Sequence, residues 1–502
     1  MISIFSPDKP FKVYCLPCWW SDNWDPLESG LDYDPDRNFF EQMKEVQLRT
    51  PFMCLINGYT TLINSDYVNH AGSLKNSYLV YNGDYGENIY YLEIFTNIKD
   101  SMDSTMLGES ELCYGVINGT KLHKVFFSED VRECHNVYFS KNMVGCSDCF
   151  GCINLKNKKY FIFNKPFSKE EYEKKLKELD INSYKSFLDL RKKTIEFWKT
   201  IPHKFIHERY NENVSGDYVY ESKNAHNIYQ GRYIEDGKFA QLITLPPVKD
   251  VYDYTEWGMG ASRIIDSITA GLQADNIKFT FGAYDNVMNI EYCMYVISSS
   301  NMLGCINVRK KQYCILNKQY IKEEYEKLRA KIIEDLEKNP YIDSKSRIFK
   351  YGEFLPYDLA PYDYNESSAN WYFPFSKEKI TENSWRWHEE IASVYKPTMK
   401  LEDMPDSIHD VKDDIINEIF ECVDCGKAWR VIKPEIDLLR RFDLPLPRKC
   451  PNCRYKERLS RINPPKLWDR TCAKCGKAIK TSYAPERPEI IYCSGCYQEE
   501  FI

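Results

Sequence analysis

The sequence predicts a mainly β protein with helices, of the α+β class: duplicated β-solenoid-like blocks, each followed by a helix, with tandem four-cysteine zinc fingers at the C-terminal end. Three observations predict this. The first is a strand-like pulse at every twelfth position of the first block. The second is a duplication at a constant offset of 153 positions. The third is a pair of complete Cys-x2-Cys … Cys-x2-Cys sets between Cys422 and the end of the chain.

Every twelfth residue from Tyr78 is apolar or aromatic: Tyr78, Tyr90, Met102, Tyr114, Phe126, Tyr138, Phe150 and Ile162. Two places before each stand Asn76, Asn88, Asp100, Leu112, Lys124, Asn136, Asp148 and Tyr160, mostly polar or turn-forming. A twelve-residue pulse is incompatible with the period of an α-helix and fits short strands between turns. Its regularity predicts a solenoid, with two units per coil of a parallel β-helix. An antiparallel meander is the competing arrangement. Ser168 and Glu171 form a capping box that opens a helix with Tyr172, Leu176 and Leu179 on one face.

Gly151-Cys-Ile-Asn-Leu155 recurs as Gly304-Cys-Ile-Asn-Val308, and Glu170-Glu-Tyr-Glu-Lys174 as Glu323-Glu-Tyr-Glu-Lys327. The second copy keeps the pulse only near its end, at Phe279, Leu303 and Ile315, and Glu291 interrupts it. The expected divisions are 1–50 (a half zinc finger and linker, with a helix over Phe39–Arg49), 51–213 (first β block plus helices), 214–340 (second block plus helix), 341–401 (an irregular aromatic linker), 402–466 (finger one) and 467–502 (finger two). Within 402–466 a short helix is expected after Asp406–Asp410, with Val411, Ile415, Ile416 and Ile419 as its stripe.

The metal ligands are Cys422, Cys425, Cys450 and Cys453 for one zinc ion, and Cys472, Cys475, Cys493 and Cys496 for a second. Tetrahedral Zn²⁺ is satisfied by two such hairpins. Gly426 and Gly476, one place past each first pair, suit the positive φ of the knuckle. After Cys453 the run Arg454-Tyr-Lys456-Glu-Arg458-Leu-Ser-Arg461 predicts a basic helix in a treble-clef-like finger.

These motifs resemble the probable zinc-ribbon (treble-clef) family. With Trp468-Asp-Arg-Thr-Cys472, the Cys15-Leu-Pro-Cys18-Trp-Trp start and the Cys149-Phe-Gly-Cys152 middle, nearly the whole chain resembles multi-zinc-finger proteins of uncultured, small-genome bacteria. The resemblance implies zinc ligands and adds no activity.

Cys15 and Cys18 form half a site. Pro7, Pro10, Tyr14, Cys15 and Cys18 match Pro485, Pro488, Tyr492, Cys493 and Cys496 at an offset of 478. Either a further pair is encoded upstream of Met1, or Cys15 and Cys18 borrow ligands from Cys54 or elsewhere. A third zinc is expected only if they find partners.

Other signals are weaker. Cys134, Cys146, Cys149 and Cys152 read as thiols stacked in a solenoid core, with an iron–sulfur run as the alternative. His203 and His207 are spaced as helix-borne ligands but lack the Glu of a metalloprotease motif. Asp100, Asp103, Asp148, Asp253 and Asp266 are available, but no catalytic pair is nominated among them.

Composition sets the remaining bounds. Nineteen cysteines without a secretory leader, and no apolar run near the ~18 residues of a membrane span, predict reduced thiols, a cytoplasmic setting and no membrane partner. The net charge is −7. Residues 422–480 carry 16 Lys/Arg against 6 Asp/Glu, a balance of +10 that leaves −17 for the rest. A basic module on an acidic body predicts an anionic partner. The expected function is therefore a zinc-binding, non-enzymatic protein. Its Arg454, Lys456, Arg458 and Arg461 would contact RNA or DNA, and its β body would recruit a protein. A protein-interaction scaffold with purely structural zinc is the second expectation, and a solenoid hydrolase or lyase the third.

Overall fold

The computed structural model describes residues 1–389 and 394–501. The first β block starts with four long strands, Asp66–Lys75, Tyr78–Tyr90, Glu93–Met102 and Thr105–Tyr114. It continues as two lines of short strands. One line runs Ile117–Thr120, Glu129–Arg132, Lys141–Val144 and Ile153–Lys156. The other runs His123–Phe126, His135–Tyr138, Ser147–Phe150 and Lys159–Ile162. All of these pair in parallel, and each register step equals one repeat unit: Glu129 opposes Lys141, and Val137 opposes Cys149. Hydrogen-bonded neighbours are thus one unit apart, not the two expected from the sequence, and the pairing is parallel rather than a meander.

The backbone explains why the pulse is twelve and not a plain alternation. Every third residue takes a left-handed conformation; Asn136, Phe139, Asn142, Gly145 and Asp148 have φ of 52°, 50°, 51°, 62° and 51°. Side chains therefore point inward with a period of three. Val131, Cys134, Val137, Ser140, Met143, Cys146, Cys149 and Cys152 are all buried, and their apolar and thiol members, drawn from both strand lines, share one core. The left-handed positions include the polar residues two places before each pulse: Asn76, Asn88 and Asp100 have φ of 51°, 54° and 46°. Asn and Asp tolerate this region best among residues with a Cβ. Stacked one unit apart, they bond to one another: Asn76 Nδ2 donates to Asn88 Oδ1 at 3.0 Å, and Asn88 Nδ2 to Asp100 Oδ1 at 2.7 Å.

The second block repeats the plan with uneven steps. Glu212 opposes Lys223, Lys223 opposes Glu235, Glu235 opposes Lys249 and Val248 opposes Ala261, so no single step length holds from one rung to the next. This is why its pulse fades. Lys278 opposes Glu291, and Glu291 opposes Leu303, so Phe279 is level with Tyr292 rather than with the Leu303 column. Glu291 belongs in the column because Arg329 holds it, Nε to Oε2 at 2.7 Å.

Helices cover the outer aromatic columns crosswise. The capping box at Ser168 opens the Lys169–Glu178 helix as expected. The Tyr184–Lys199 helix packs Phe187 and Leu190 against Phe139 and its column on the first block. The Phe39–Arg49 helix lies instead on the second block, with Phe40 5.3 Å from Tyr292. The Lys322–Lys338 helix and Leu355 and Leu359 of the aromatic stretch complete that cluster. Finger one takes the corresponding place on the first block: Phe442, Leu439 and Leu444 join Tyr114, Phe126 and Tyr138. The segment after Asp406 is two 3₁₀ turns, Ile408–Asp410 and Asp413–Asn417, rather than an α-helix; Val411 and Ile415 still point into this core. Among the described residues no helix is long and apolar enough to cross a membrane.

Candidate metal centres

In each C-terminal site a knuckle and a helix start face each other. Gly426 and Gly476 have φ of +70° and +74°, and each amide returns to the first cysteine's carbonyl at 2.9 Å. The second pairs open the helices Pro451–Arg461 and Ser494–Phe501. All four Sγ atoms of each set lie within 4.8 Å of one another. The Cys425–Cys450 and Cys475–Cys493 Sγ separations are 3.8 Å. A tetrahedron with Zn–S bonds of ~2.3 Å has an edge of about 3.8 Å, so the donors fit zinc. The two tetra-cysteine sites are positioned to bind two zinc ions.

The local electrostatics favour thiolates. Burial opposes ionisation of Cys422, but the backbone N–H groups of Cys450, Cys425 and Asp424 outweigh it and hold the thiol down at about 7. Cys472 is likewise opposed by burial and held down at about 6 by the amides of Cys493, Cys475 and Lys474. All eight ligands are cysteines, so the donor set leaves zinc no open position of the kind a hydrolytic site uses.

The N-terminal knuckle copies the C-terminal one down to its neighbours. Val13–Tyr14 pairs in parallel with Phe52–Met53, just as Ile491–Tyr492 pairs with His203–Lys204. Cys54 occupies the place of Phe205, each donating its amide to the matching tyrosine carbonyl. Cys54 is buried beside Cys15, but Cys15 and Cys18 belong to no group of three or more ligands among the described residues.

A third such group, Asp8, Asp363 and His388, has no signature in sequence. Lys9 Nζ already lies 2.7 Å from Asp363, and Arg386 Nε 2.8 Å, so a metal would compete with two resident cations.

Among the described residues the core thiols belong to no group of three or more candidate ligands. The Cys146 amide donates to Cys134 Sγ at 3.4 Å and the Cys305 amide to Cys293 Sγ at 3.3 Å, so the sulfurs sit in the ladder as acceptors. Burial pushes the Cys113 thiol up to about 12. The two histidines do not share a site. His203 Nε2 meets the Trp198 carbonyl at 3.1 Å, and burial drives its pKa down to about 3. His207 Nδ1 lies 2.9 Å from Asp217 and its ring stacks on Tyr218. Asp253 and Asp266 do meet: burial and then the Asp253 carboxylate raise Asp266 to about 6.

The basic helix after Cys453 turns inward. Arg454 Nε lies 2.9 Å from Asp103 Oδ2, and its Nη2 lies 2.9 Å from Glu435 Oε1. Arg458 Nη1 donates to Asp103 Oδ1 at 2.8 Å, with aligned geometry; the Arg454 pairs are close in charge but not aligned as hydrogen bonds. Arg454 and Arg458 are 7% and 6% exposed. Arg461 is bound by Glu129, which also takes Lys141 at 2.9 Å. Those two partners, against the opposing effect of burial, hold Glu129 down at about 2. Lys456 alone of the four is exposed, with its Nζ 5.4 Å from the Trp371 ring centre. Carboxylates of the same chain thus hold three of the four residues expected to face a nucleic-acid phosphate. Asp103 and Glu129 were invisible as partners because they belong to the first β block, at the far end of the sequence from the finger.

Comparison with protein-family models, with curated proteins and with solved structures finds no match.

Proposed function

We propose that this chain is a zinc-clamped binding scaffold, in which two β-solenoids are held face to face and the zinc fingers act as fasteners. The constant register of the first block and the single core shared by both strand lines support the solenoid reading. The observation that carries the fastener reading is the buried cluster of Arg454 and Arg458 with Asp103 and Glu435. The opposite charges of finger and body, which suggested an outside polyanion, are complementary to each other. Arg441 extends the pattern, with Nη1 2.8 Å from Asp100. Finger two contributes as well: Ser482, together with Asn463 of finger one, converges on Asp217 of the second block, and Tyr497 Oη accepts from Asn142 of the first.

The test has two readouts on the full chain. Chelation of zinc lowers the melting temperature, because the clamps lose their frame. A filter-binding assay with single- and double-stranded RNA and DNA at low ionic strength gives no retention. Tight binding that weakens steeply with salt, or a melting temperature indifferent to chelation, would overturn the reading.

A further inference from the structure

The two blocks do not touch along their whole facing surfaces. One end is sealed by Ile117, Tyr218, Tyr220 and Ile462, with Asn118 Nδ2 donating to Tyr220 Oη at 2.8 Å. The other end is lined by Trp20, Met53 and Ile297. Between them lies a cavity of about 510 Å³, within the size range of small-molecule sites. Small residues hollow its first-block wall, with Gly72 and Gly108 in the column that also holds Asp84 and Thr96. Trp257 and Tyr284 lie on the second-block wall with ring centres 5.7 Å apart. Trp257 has φ of 107°, outside the left-handed cluster that other residues here occupy, and the strand pairing slips beside it.

Carboxylates outnumber basic groups on the wall. Asp84, Glu256 and Asp285 line the cavity, and none forms an ion pair among the described residues. Glu256 accepts from Thr269 Oγ1 at 3.3 Å, and Asp285 from Ser298 Oγ at 2.8 Å. Two neutral acceptors also lack donors: Gln230 Oε1, on a side chain only 7% exposed, and Asn57 Oδ1. The basic groups on the wall are the His70 imidazole and the Arg232 guanidinium, which lies over Tyr220 at the sealed end. Glu256 and Asp285 are half-buried and Asp84 is exposed; a carboxylate partly withdrawn from water beside apolar and aromatic walls gains from a cation that reaches it, and aromatic faces add attraction for the same charge.

We propose that this cavity binds a small organic cation, its ammonium charge matched by the Glu256 carboxylate and its apolar body laid against Trp257 and Tyr284. The inference rests on the scaffold reading in one respect, that the blocks are clamped face to face.

The experiment is titration calorimetry on the zinc-loaded full chain with three matched probes: phenethylamine, 2-phenylethanol and 3-phenylpropionate. Spermidine is included as an aliphatic cation. The amine is expected to bind about tenfold or more tightly than the alcohol, as charge-assisted hydrogen bonds require, with no binding of the carboxylate. Glu256→Gln should remove most of that preference while leaving the alcohol's affinity and the zinc content unchanged. Equal affinity for amine and alcohol, an unaltered preference in Glu256→Gln, or no binding of either cation overturns the proposal. Failure of the clamp reading would appear separately, as a melting temperature that ignores zinc.

Discussion

Arg454 of the first finger and Asp103 of the first β block meet at 2.9 Å with both side chains almost out of solvent. Asp103 also holds Arg458, so one carboxylate serves two guanidiniums, with Glu435 as the second partner of Arg454. Asn fits the left-handed backbone of position 103, whose φ is 49°. Asp103→Asn therefore isolates the charge effect. Breaking a buried pair from one side costs about 3–5 kcal/mol. Urea unfolding of the zinc-loaded variant should show a loss of that order. The double variant Asp103→Asn, Arg454→Met should lose less than the single one.

Thiol reactivity separates three classes of cysteine. In the zinc-loaded native chain, alkylation read by mass spectrometry should modify Cys15 and Cys18. Chelation should add the eight zinc ligands. The nine remaining thiols, all buried, should react only on unfolding. Early labelling of Cys146 or Cys149 would contradict their place in the core.

The asparagine ladder gives a backbone test. Asn88 has φ of 54° and bonds on both sides, to Asn76 and to Asp100. Asn88→Val should cost about 2–3 kcal/mol, since a β-branched residue strains in this region and the ladder is broken. Asn88→Gly keeps the conformation and should cost about 1 kcal/mol. Chemical denaturation of both variants measures the difference.

Glu93 supplies a pH dependence. Burial raises its carboxyl to about 7, although Tyr455 donates to it; the Glu256 charge adds to the rise. A carboxyl raised in the folded state binds its proton there while the unfolded chain has already lost it. Its contribution to stability is therefore undiminished below the ordinary Glu value of 4.5, falls through the window up to about 7, and stays reduced above it. Glu93→Gln should melt higher than the parent at pH 8, and the advantage should vanish as pH falls to about 4.5.

What was legible in the sequence follows from what is local. The eight zinc ligands, the glycines at 426 and 476 and the Ser168 capping box are encoded within short stretches of chain, and the structure places them accordingly. The parallel stacking of the first block was legible because its step never changes. The second block hid its steps because an inserted residue in a unit shifts every later count, as Phe279 shows. The partners of Arg454 and Arg458 were not legible. A basic helix has the same sequence whether it faces a phosphate or an aspartate 351 positions away, as Asp103 is from Arg454. The cavity was hidden for the same reason, since its walls come from two blocks that only tertiary packing brings together.

The crosswise covering has a consequence for assembly. The aromatic column from Tyr114 to Phe150 is synthesised 292 positions ahead of Phe442, which with Leu444 shields it from finger one. At about 5–20 residues per second the column waits on the order of 15–60 s for that cover. Metal loading of the later-made segment is then the step that closes the earlier-made one. A cell short of zinc would accumulate chains whose earliest strands are formed and sticky, so limitation of the metal should register as aggregation of new protein before it registers as loss of any finished molecule.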